Sequence, residues 1–393
     1  MDFSYPAEVE QFRAELRDWL LANLTEELIA ARRPSGRDDA TFEMLRTWNR
    51  TMADAGWAAV SWPREYGGRG ATVLEQLVYT EETTRARAPL PLNVIGMNNI
   101  APAIMQYGTE AQKRTLLPRM MRADDIWCQG MSEPEAGSDL ASLRTRAFRD
   151  GGPQGEDFVV NGQKIWTSLG HRARWCQLYV RTDPEAPKHK GISCLIVDMT
   201  LPGIEARPLV TLNGDTDFAE VFFHGVRVPA HALLGPLNGG WQVATTTLSH
   251  ERAGAARLNT EMQVRLEELV ADLAAADDGA TRGALQDPVT LRRLGEIAVR
   301  IKYLEVLCQR SISATLHGRP DGAALGSASL AKTVWGEIGQ DMAALAFDVL
   351  GSRGAAGRWA DYRLTSRSLT IAGGTTQINK NITAQRVLGL PRP

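Results

Sequence analysis

The sequence has few cysteines and lacks the residue spacing of a metal site. Its four cysteines lie far apart along 393 residues and form neither a Cys-x-x-Cys pair nor a Cys/His cluster. A disulfide scaffold is therefore not expected, and the cysteines are predicted to be buried free thiols. The six histidines show no metal-ligand pairing, so the sequence predicts no metal.

Charge and hydropathy exclude further classes of protein. The 44 basic and 46 acidic residues give a net charge of −2, so no surface for nucleic acid is expected. No apolar run is long enough to cross a bilayer, and the first residues lack the basic stretch and apolar run of a secretory signal. We therefore expect a cytoplasmic protein without a membrane span.

The common nucleotide and hydrolase motifs are also missing. There is no P-loop, no Gly-x-Ser-x-Gly elbow and no Gly-x-Gly-x-x-Gly after a strand. Residues 351–354 are glycine-rich, but they follow a helix-like stretch. Nicotinamide, ATP and hydrolase chemistry therefore have little support.

The apolar pattern changes twice along the chain and predicts three domains. Residues 1–125 carry apolar side chains at three- and four-residue intervals, which indicates helices. Residues 126–232 contain short β-prone runs separated by turn signals, which suggests a β-barrel or sandwich. In residues 233–393 the helical pattern returns, with an apolar stripe at Leu294, Ile297, Ile301 and Leu304 and a last helix whose N-cap is Thr375 or Thr376. The prediction is an α+β multidomain protein with a helical, a β and a helical domain.

Two local patterns give sharper structural predictions. Asn161-Gly162 separates two β-prone runs, at residues 158–160 and 163–166, which is typical of a hairpin turn. Between residues 241 and 269 the apolar spacing predicts one long amphipathic helix.

Two segments of the β region have residues suited to ligand binding. Residues 131–139 combine small, hydroxyl and turn residues after a predicted strand, a composition suited to presenting N–H groups to an anion or a heteroaromatic ring. The alternative is a plain surface turn. Trp166 precedes two hydroxyl residues, so an aromatic plane lies beside two donors, but this pattern alone favours Trp166 as a core residue.

Glu251 conflicts with the pattern of its predicted helix. It lies three residues after Leu248 and four before Ala255, on the apolar face, with Arg252 at the edge of that face. A carboxylate on a packing face is unfavourable unless it is paired or used, and burial would raise its pKa toward that of a general base. The alternative is a structural ion pair between Glu251 and Arg252.

Taken together, these segments resemble the acyl-CoA dehydrogenase family over nearly the whole chain. The resemblance is carried by six segments in the family's order: 65–68, 107–110 with 117–118, 131–139, 161–168, 234–241 with 251–252, and 373–378. It implies the acyl-CoA dehydrogenase fold, with a four-helix-bundle-like C-terminal domain and FAD between the β-domain and the C-terminal helices.

The resemblance also implies roles for individual residues. Positions corresponding to flavin-ring contacts are Met131, Ser132, Trp166 and Ser168, and those corresponding to contacts with the rest of FAD are Ser138, Arg282, Gly351, Thr375 and Gln377. Positions near the thioester substrate are Ser138, Arg252, Gly373 and Gly374.

The resemblance bears on the base as well. Many members carry the catalytic glutamate in the last loop, where this chain has Gly373. Isovaleryl-CoA and long-chain acyl-CoA dehydrogenases instead carry the catalytic glutamate on a helix, just before an arginine. This chain resembles them, with Glu251 at that position. The expected reaction is oxidation of an acyl-CoA to the trans-2-enoyl-CoA, in which Glu251 takes the α proton and the β hydride passes to flavin N5.

Two departures from the family pattern affect the expected FAD site. Residues 280–288 lack the Phe-Gly pair of an Arg-x-Phe-Gly segment that reaches the neighbouring subunit's FAD, and Asp348 stands where a glutamine often lies. An acidic group would repel the pyrophosphate. These departures favour one alternative, a partially active subunit of a hetero-oligomer. A second alternative is an oxidase or monooxygenase on the same fold, because a fold does not fix its chemistry. Otherwise a homodimer or homotetramer is implied, with electron-transfer flavoprotein as electron acceptor.

Overall fold

The computed structural model describes residues 5–31, 38–152, 155–252, 255–276, 279–317 and 322–391. The helices of the described chain are α1 (Ala7–Asn23), α2 (Glu26–Ala30), α3 (Asp39–Asp54), α4 (Val73–Arg85), α5 (Ala101–Tyr107), α6 (Glu110–Met121), α7 (Gly240–Arg252), α8 (Ala255–Ala274), α9 (Gly279–Gly283), α10 (Pro288–Leu316), α11 (Gly322–Leu350), α12 (Gly357–Thr365) and α13 (Thr376–Ile382). Within these ranges, six helices precede the strands and seven follow them.

The strands are β1 (Trp127–Gly130), β2 (Arg146–Gly152), β3 (Gly155–Ser168), β4 (Trp175–Arg181), β5 (Ile192–Asp198), β6 (Ile204–Leu209), β7 (Phe218–Val228) and β8 (Leu233–Leu234). They form one sheet in the order β6-β7-β3-β2-β4-β5-β8, and β1 pairs with β4. The pairs β1–β4 and β2–β4 are parallel and the others are antiparallel.

The chain divides into two compact units. One comprises Met1–Asn23, Thr72–Ala88 and Arg252–Pro393, and the other comprises Leu24–Ala71 and Pro89–Glu251. The predicted α+β order of helical, β and helical regions is confirmed. The predicted domain boundaries after residues 125 and 232 stay a prediction.

The sheet forms its core through alternating apolar residues. On β7, Ala219, Val221 and Phe223 are buried at every second position, and after the exposed His224 and Gly225 the alternation resumes at Val226 and Val228, as expected for a strand with one buried face. All four cysteines are free and buried, which confirms the prediction for them. Burial raises the pKa of Cys194, so this thiol is neutral and behaves as a small apolar side chain.

The hairpin predicted at Asn161-Gly162 is wrong, because β3 runs without interruption through both residues. A register shift against β7 between Val160 and Gly162 makes this site a β-bulge rather than a turn. Gly162 has a φ of +150°, and a Cβ there would lie 2.6 Å from the Cα of Thr145. The glycine therefore permits the close approach of β3 to Thr145, directly before β2, which no local pattern reveals.

The unit that includes Arg252–Pro393 contains two long helices, α10 and α11. Leu294, Ile297, Ile301 and Leu304 of α10 are all buried, which confirms the predicted apolar stripe. Where the sequence predicts one long helix over residues 241–269, the described chain has α7 and α8, and residues 253–254 between them lie outside the described residues.

Candidate active site

The segment after β1 lies against the part of β3 that directly precedes Trp166. The main-chain N–H of Ile165 donates to the carbonyl oxygen of Ser132 at 2.9 Å. The ammonium of Lys164 donates to the carbonyl oxygen of Met131 at 3.1 Å. The fold therefore joins the two motifs of the β region that the sequence analysis singled out separately.

Trp166 is an exposed aromatic residue in a strained backbone conformation. It is 57% exposed, and its φ is +58°, which is rare for a bulky residue. The strain falls within a register shift between β3 and β7 that extends from Lys164 to Thr167. Strain of this kind is concentrated at functional sites, and an exposed indole suits stacking on a planar heteroaromatic ring. Trp166 is thus not a core residue, and its presentation fits a flavin ring.

The hydroxyl groups beside Trp166 differ in environment. Thr167 Oγ1 is buried and has no hydrogen-bond partner within the described part of the chain. A buried hydroxyl is normally satisfied by protein, water or a ligand, so this atom has unused bonding capacity next to the indole. Ser168 is half-buried and pairs in register with Phe218, whose ring packs edge-on against Trp166 at 5.8 Å between centroids.

A buried ion pair underlies the same segment. Lys164 Nζ lies 2.8 Å from Glu133 Oε1, and both side chains are almost wholly buried. Burial alone would raise the pKa of Glu133, but Lys164, the side chain of Thr145 and the main-chain N–H of Arg144 outweigh burial and hold this pKa below its usual range. Burial lowers the pKa of Lys164, against the attraction of Glu133.

Helix α7 is attached to the sheet by hydroxyl contacts. The hydroxyl of Thr247 lies 3.2 Å from the phenol oxygen of Tyr179 and accepts from Gln177 Nε2 at 3.3 Å. All three side chains are fully buried. Gln177 also accepts from Gln129 on β1 at 3.1 Å, which extends the network across the sheet.

The two sequence-predicted residues at the end of α7 are placed by their backbone only. Glu251 lies one helical turn after Thr247, and α7 ends at Arg252. The side chains of Glu251 and Arg252 lie outside the described residues, so the predicted roles of both remain predictions.

The loop of residues 373–377 has two glycines in the left-handed region. Gly373 has a φ of +66° and Gly374 of +89°. Thr375 caps α13, since its hydroxyl accepts from the N–H of Ile378 at 3.1 Å. This confirms the predicted cap. Gln377 is exposed on the first turn of the helix, so its amide is accessible to a ligand.

A shallow depression of about 520 Å³ occupies the region in which the sequence departs from the family pattern. It is lined by Thr281, Gly283, Ala284, Asp287, Thr290, Asp348, Val349 and Gly351. Asp348 pairs with Arg293 at 2.9 Å, and Asp287 accepts from the N–H of Thr290 at 2.8 Å. Two carboxylates therefore line a surface that the family resemblance assigns to a pyrophosphate.

Arg282 is next to this depression in sequence, but its side chain is engaged elsewhere. Its guanidinium donates to the carbonyl oxygen of Ala276 from Nε at 3.0 Å and from a terminal nitrogen at 2.7 Å. Ser138 lies on an exposed turn beside Asp139, whose carboxylate pairs with Lys188 at 2.9 Å. The structure therefore places Met131 and Ser132 against β3, the strand that carries Trp166 and Ser168, and engages Arg282 elsewhere.

Sequence reasoning missed three buried polar residues of the site region. Lys164 stands in a recognised motif, but nothing in a single strand shows that its ammonium is buried against Glu133. Thr247 and Tyr179 are 68 residues apart, so no local signal joins them. No group of three His, Cys, Asp or Glu side chains able to hold a metal occurs among the residues that the structure describes.

Three family models match consecutive parts of the chain. They are "Acyl-CoA dehydrogenase, N-terminal domain" at residues 6–124, "Acyl-CoA dehydrogenase, middle domain" at 128–226 and "Acyl-CoA dehydrogenase, C-terminal domain" at 238–388. The chain belongs to the acyl-CoA dehydrogenase family. It is accordingly an oxidoreductase of lipid metabolism that uses FAD and acts on acyl-CoA.

Individual relatives agree with this assignment. The acyl-CoA dehydrogenase IpdE1 of Mycobacterium tuberculosis (strain ATCC 25618 / H37Rv) is 38% identical over 399 residues, which cover 98% of each chain. A solved structure described as "Tcur3481-Tcur3483 steroid ACAD" covers 100% of both chains at 33% identity and a TM-score of 0.86. One chain of the solved ChsE4-ChsE5 complex from Mycobacterium tuberculosis also matches, over 100% of this chain and 100% of that chain, at 34% identity and a TM-score of 0.85.

Within the described ranges, every helix is too short or too polar to cross a membrane.

Proposed function

We propose that Glu251 is the base that removes the α proton of the acyl thioester. The observation that carries the proposal is the position of Glu251 one turn beyond Thr247, on a helix fixed to the sheet by a buried network. A base must be held at a constant distance from the carbon it deprotonates, and a helix with buried anchors provides this. Gly373, at the alternative family position, has no side chain that could compete.

The remaining site residues position the reactants. Met131, Ser132, Trp166 and Ser168 would hold the flavin ring, and Ser138, Thr375 and Gln377 would contact the rest of FAD. Arg252, Gly373 and Gly374 lie beside the thioester. When bound, FAD supplies the hydride acceptor at N5, so loss of the α proton and of the β hydride yields the trans-2-enoyl-CoA.

A matched pair of variants tests the proposed base. Glu251→Gln keeps the size of the side chain and removes its basicity, whereas Glu261→Gln changes a glutamate of α8 that pairs with Arg265 at 3.3 Å. In anaerobic single-turnover experiments with acyl-CoA, we expect Glu251→Gln to bleach the flavin about 10²–10⁴-fold more slowly. Glu261→Gln should react as the unmodified enzyme does. Equal rates in all three proteins would rule out Glu251.

We further propose that the acyl group is bulky or branched. The absence of a side chain at Gly373 leaves room where other members carry a carboxylate, and a similar solved structure is described as a steroid ACAD. An anaerobic titration with short straight-chain, branched and polycyclic acyl-CoAs would rank the substrates by bleaching of the oxidised flavin. Bleaching only by short straight-chain thioesters would contradict this proposal.

A second candidate is a subunit of a hetero-oligomeric dehydrogenase that holds less than one FAD per chain. The depression lined by Asp287 and Asp348 favours it, because two carboxylates repel a pyrophosphate. The similar ChsE4-ChsE5 structure is itself a complex of two different proteins. The competing arrangement is a homodimer or homotetramer with one FAD per chain.

FAD content and assembly state decide between these arrangements. We would measure FAD per chain by absorbance and molar mass by light scattering on the same purified sample. One FAD per chain in a homo-oligomer contradicts the hetero-oligomer candidate, whereas a chain with little FAD that gains it on mixing with a partner supports that candidate.

We also propose electron-transfer flavoprotein as the electron acceptor. Enzyme reduced by substrate should pass its electrons to electron-transfer flavoprotein and react slowly with oxygen. Rapid reoxidation by air with release of peroxide or an oxygenated product would instead establish the oxidase or monooxygenase alternative.

A further inference from the structure

The ammonium of Lys164 is fully buried within the β-domain, where an isolated charge is strongly unfavourable. Its partners are the carboxylate of Glu133 at 2.8 Å and the carbonyl oxygen of Met131 at 3.1 Å. A buried ion pair is seldom more stabilising than apolar side chains of similar volume. Stability alone therefore does not account for the presence of this pair, and its contacts indicate what else it does.

The contacts converge on three consecutive residues. Lys164 holds Met131 and Glu133, while the N–H of the next residue, Ile165, holds the carbonyl oxygen of Ser132 between them. Residues 131–133 are thus fixed to β3 at each position. Glu133 carries the link further, because its carboxylate also accepts from the main-chain N–H groups of Arg144 at 2.6 Å and Thr145 at 2.8 Å.

Lys164 lies two residues before Trp166 on β3. In a regular strand, residues two apart point to the same face, yet Lys164 is buried and Trp166 is exposed. The register shift between Lys164 and Thr167 accounts for the difference. Lys164 is therefore the last residue of β3 in regular register with β7 before the shift that leaves the Trp166 side chain exposed.

We propose that Lys164 and Glu133 form a positioning clamp that sets the spacing between the Met131–Ser132 main chain and Trp166, and so forms the flavin-ring site before FAD binds. This inference rests on the proposed placement of the flavin ring against Met131, Ser132 and Trp166. Lys164 and Glu133 are positioning residues, since their side chains act through the main chain and through β3. Without the clamp, FAD must order residues 131–133 itself, which weakens its binding.

The test separates positioning from stability by the choice of variants. Lys164→Met leaves the carboxylate of Glu133 buried without its cation and should lower the melting temperature strongly. The double variant Lys164→Met/Glu133→Gln removes both charges and should recover most of the lost melting temperature, because only one of the two main-chain N–H groups that donate to Glu133 then lacks an acceptor. A control double variant, Arg227→Met/Asp150→Asn, removes an exposed ion pair between β7 and β2 in the same domain.

The readout is the affinity of each stripped protein for FAD, measured by flavin fluorescence, with the absorption spectrum of the bound flavin. We expect the double variant to bind FAD about tenfold more weakly, with an altered flavin band, and the control to match the unmodified protein. Unmodified affinity and spectrum in a folded double variant would overturn the clamp.

A Trp166→Leu variant distinguishes failure of the clamp from failure of the flavin placement. If Trp166→Leu changes flavin fluorescence while the double variant does not, the placement stands and the clamp is wrong. If Trp166→Leu leaves flavin fluorescence and affinity unchanged, the flavin ring is not against this segment, and both the placement and the clamp are overturned.

Discussion

The phenol oxygen of Tyr179 lies 3.2 Å from the hydroxyl oxygen of Thr247, and this contact joins the central strand β4 to helix α7. Both residues are fully buried, and burial raises the pKa of Tyr179 well above its usual value, so the phenol stays neutral. The contact fixes α7 one turn before Glu251. In our account it determines where the proposed base is held.

Loss of this contact should slow proton abstraction without loss of FAD. Thr247→Val keeps the shape of the side chain but removes the hydroxyl that contacts the Tyr179 phenol and the Gln177 amide N–H in a buried site, which costs about 1–3 kcal/mol of stability. Thr245→Val is the control, because the exposed Thr245 hydroxyl donates to the carbonyl oxygen of Gln242 in its own helix. We expect slower flavin reduction at unchanged FAD content in Thr247→Val alone. Equal reduction rates in both variants would contradict the account.

The bulge in β3 should require glycine at position 162. In Gly162→Ala the new Cβ would lie 2.6 Å from the Cα of Thr145, and the φ of +150° is strained for alanine. We expect a loss of about 1–3 kcal/mol in the free energy of unfolding. Gly295→Ala on α10 meets open space and should instead stabilise by roughly 0.5–1 kcal/mol. Urea denaturation measures both, and equal stability of the two variants would rule out this explanation.

The free energy of unfolding should depend far more on the buried face of α10 than on its exposed face. Leu304 is fully buried, whereas Val299 is 70% exposed on the same helix. Truncation of Leu304 to alanine should destabilise by about 2–5 kcal/mol because it leaves a cavity. Truncation of Val299 to alanine should change stability by only about 0.5 kcal/mol. Comparable losses in the two variants would mean that the buried face is assigned incorrectly.

Stability should fall below neutral pH partly through His171. Burial, with a smaller contribution from Arg172, lowers the pKa of His171 below its usual 6.5. Between the lowered pKa and 6.5 the folded state binds fewer protons than the unfolded chain, so stability rises with pH there. The contribution of His171 is complete above about pH 6.5 and is lost as the pH falls below that value.

This pH effect is measured against a variant without the imidazole. The free energy of unfolding of the unmodified protein and of His171→Gln should be compared from pH 5 to pH 8. We expect a smaller dependence on pH in the variant below about pH 6.5. Parallel curves for the two proteins would mean that the imidazole of His171 does not contribute to the pH dependence of stability.

Much of the fold was predictable because helices and strands bury side chains at regular intervals. The stripe of α10 and the cap at Thr375 follow from local spacing and local hydrogen bonds, and both are confirmed. The bulge at Asn161-Gly162 was not predictable, because Asn-Gly suits a turn as well as a bulge. The close approach of Thr145, the residue directly before β2, decides between them.

The candidate site was predictable only in part, for a related reason. Trp166 and residues 131–139 stand out in the sequence through their composition, but their adjacency depends on pairing between distant strands. The burial of Lys164 depends on Glu133, 31 residues away. A charged residue in a strand otherwise suggests a solvent-exposed position. Local sequence patterns do not reveal features that depend on such distant partners.

The most direct test of the proposed base is hydrogen exchange at the α carbon of a 3-thia-acyl-CoA, whose β position is sulfur and has no hydride to donate. The enzyme with this analogue is transferred to D₂O, and deuterium at the α carbon is followed by mass spectrometry. If Glu251 is the base, the unmodified enzyme and Glu261→Gln exchange at the same rate, and Glu251→Gln exchanges about 10²–10⁴-fold more slowly. Exchange by Glu251→Gln at the unmodified rate would contradict the central claim.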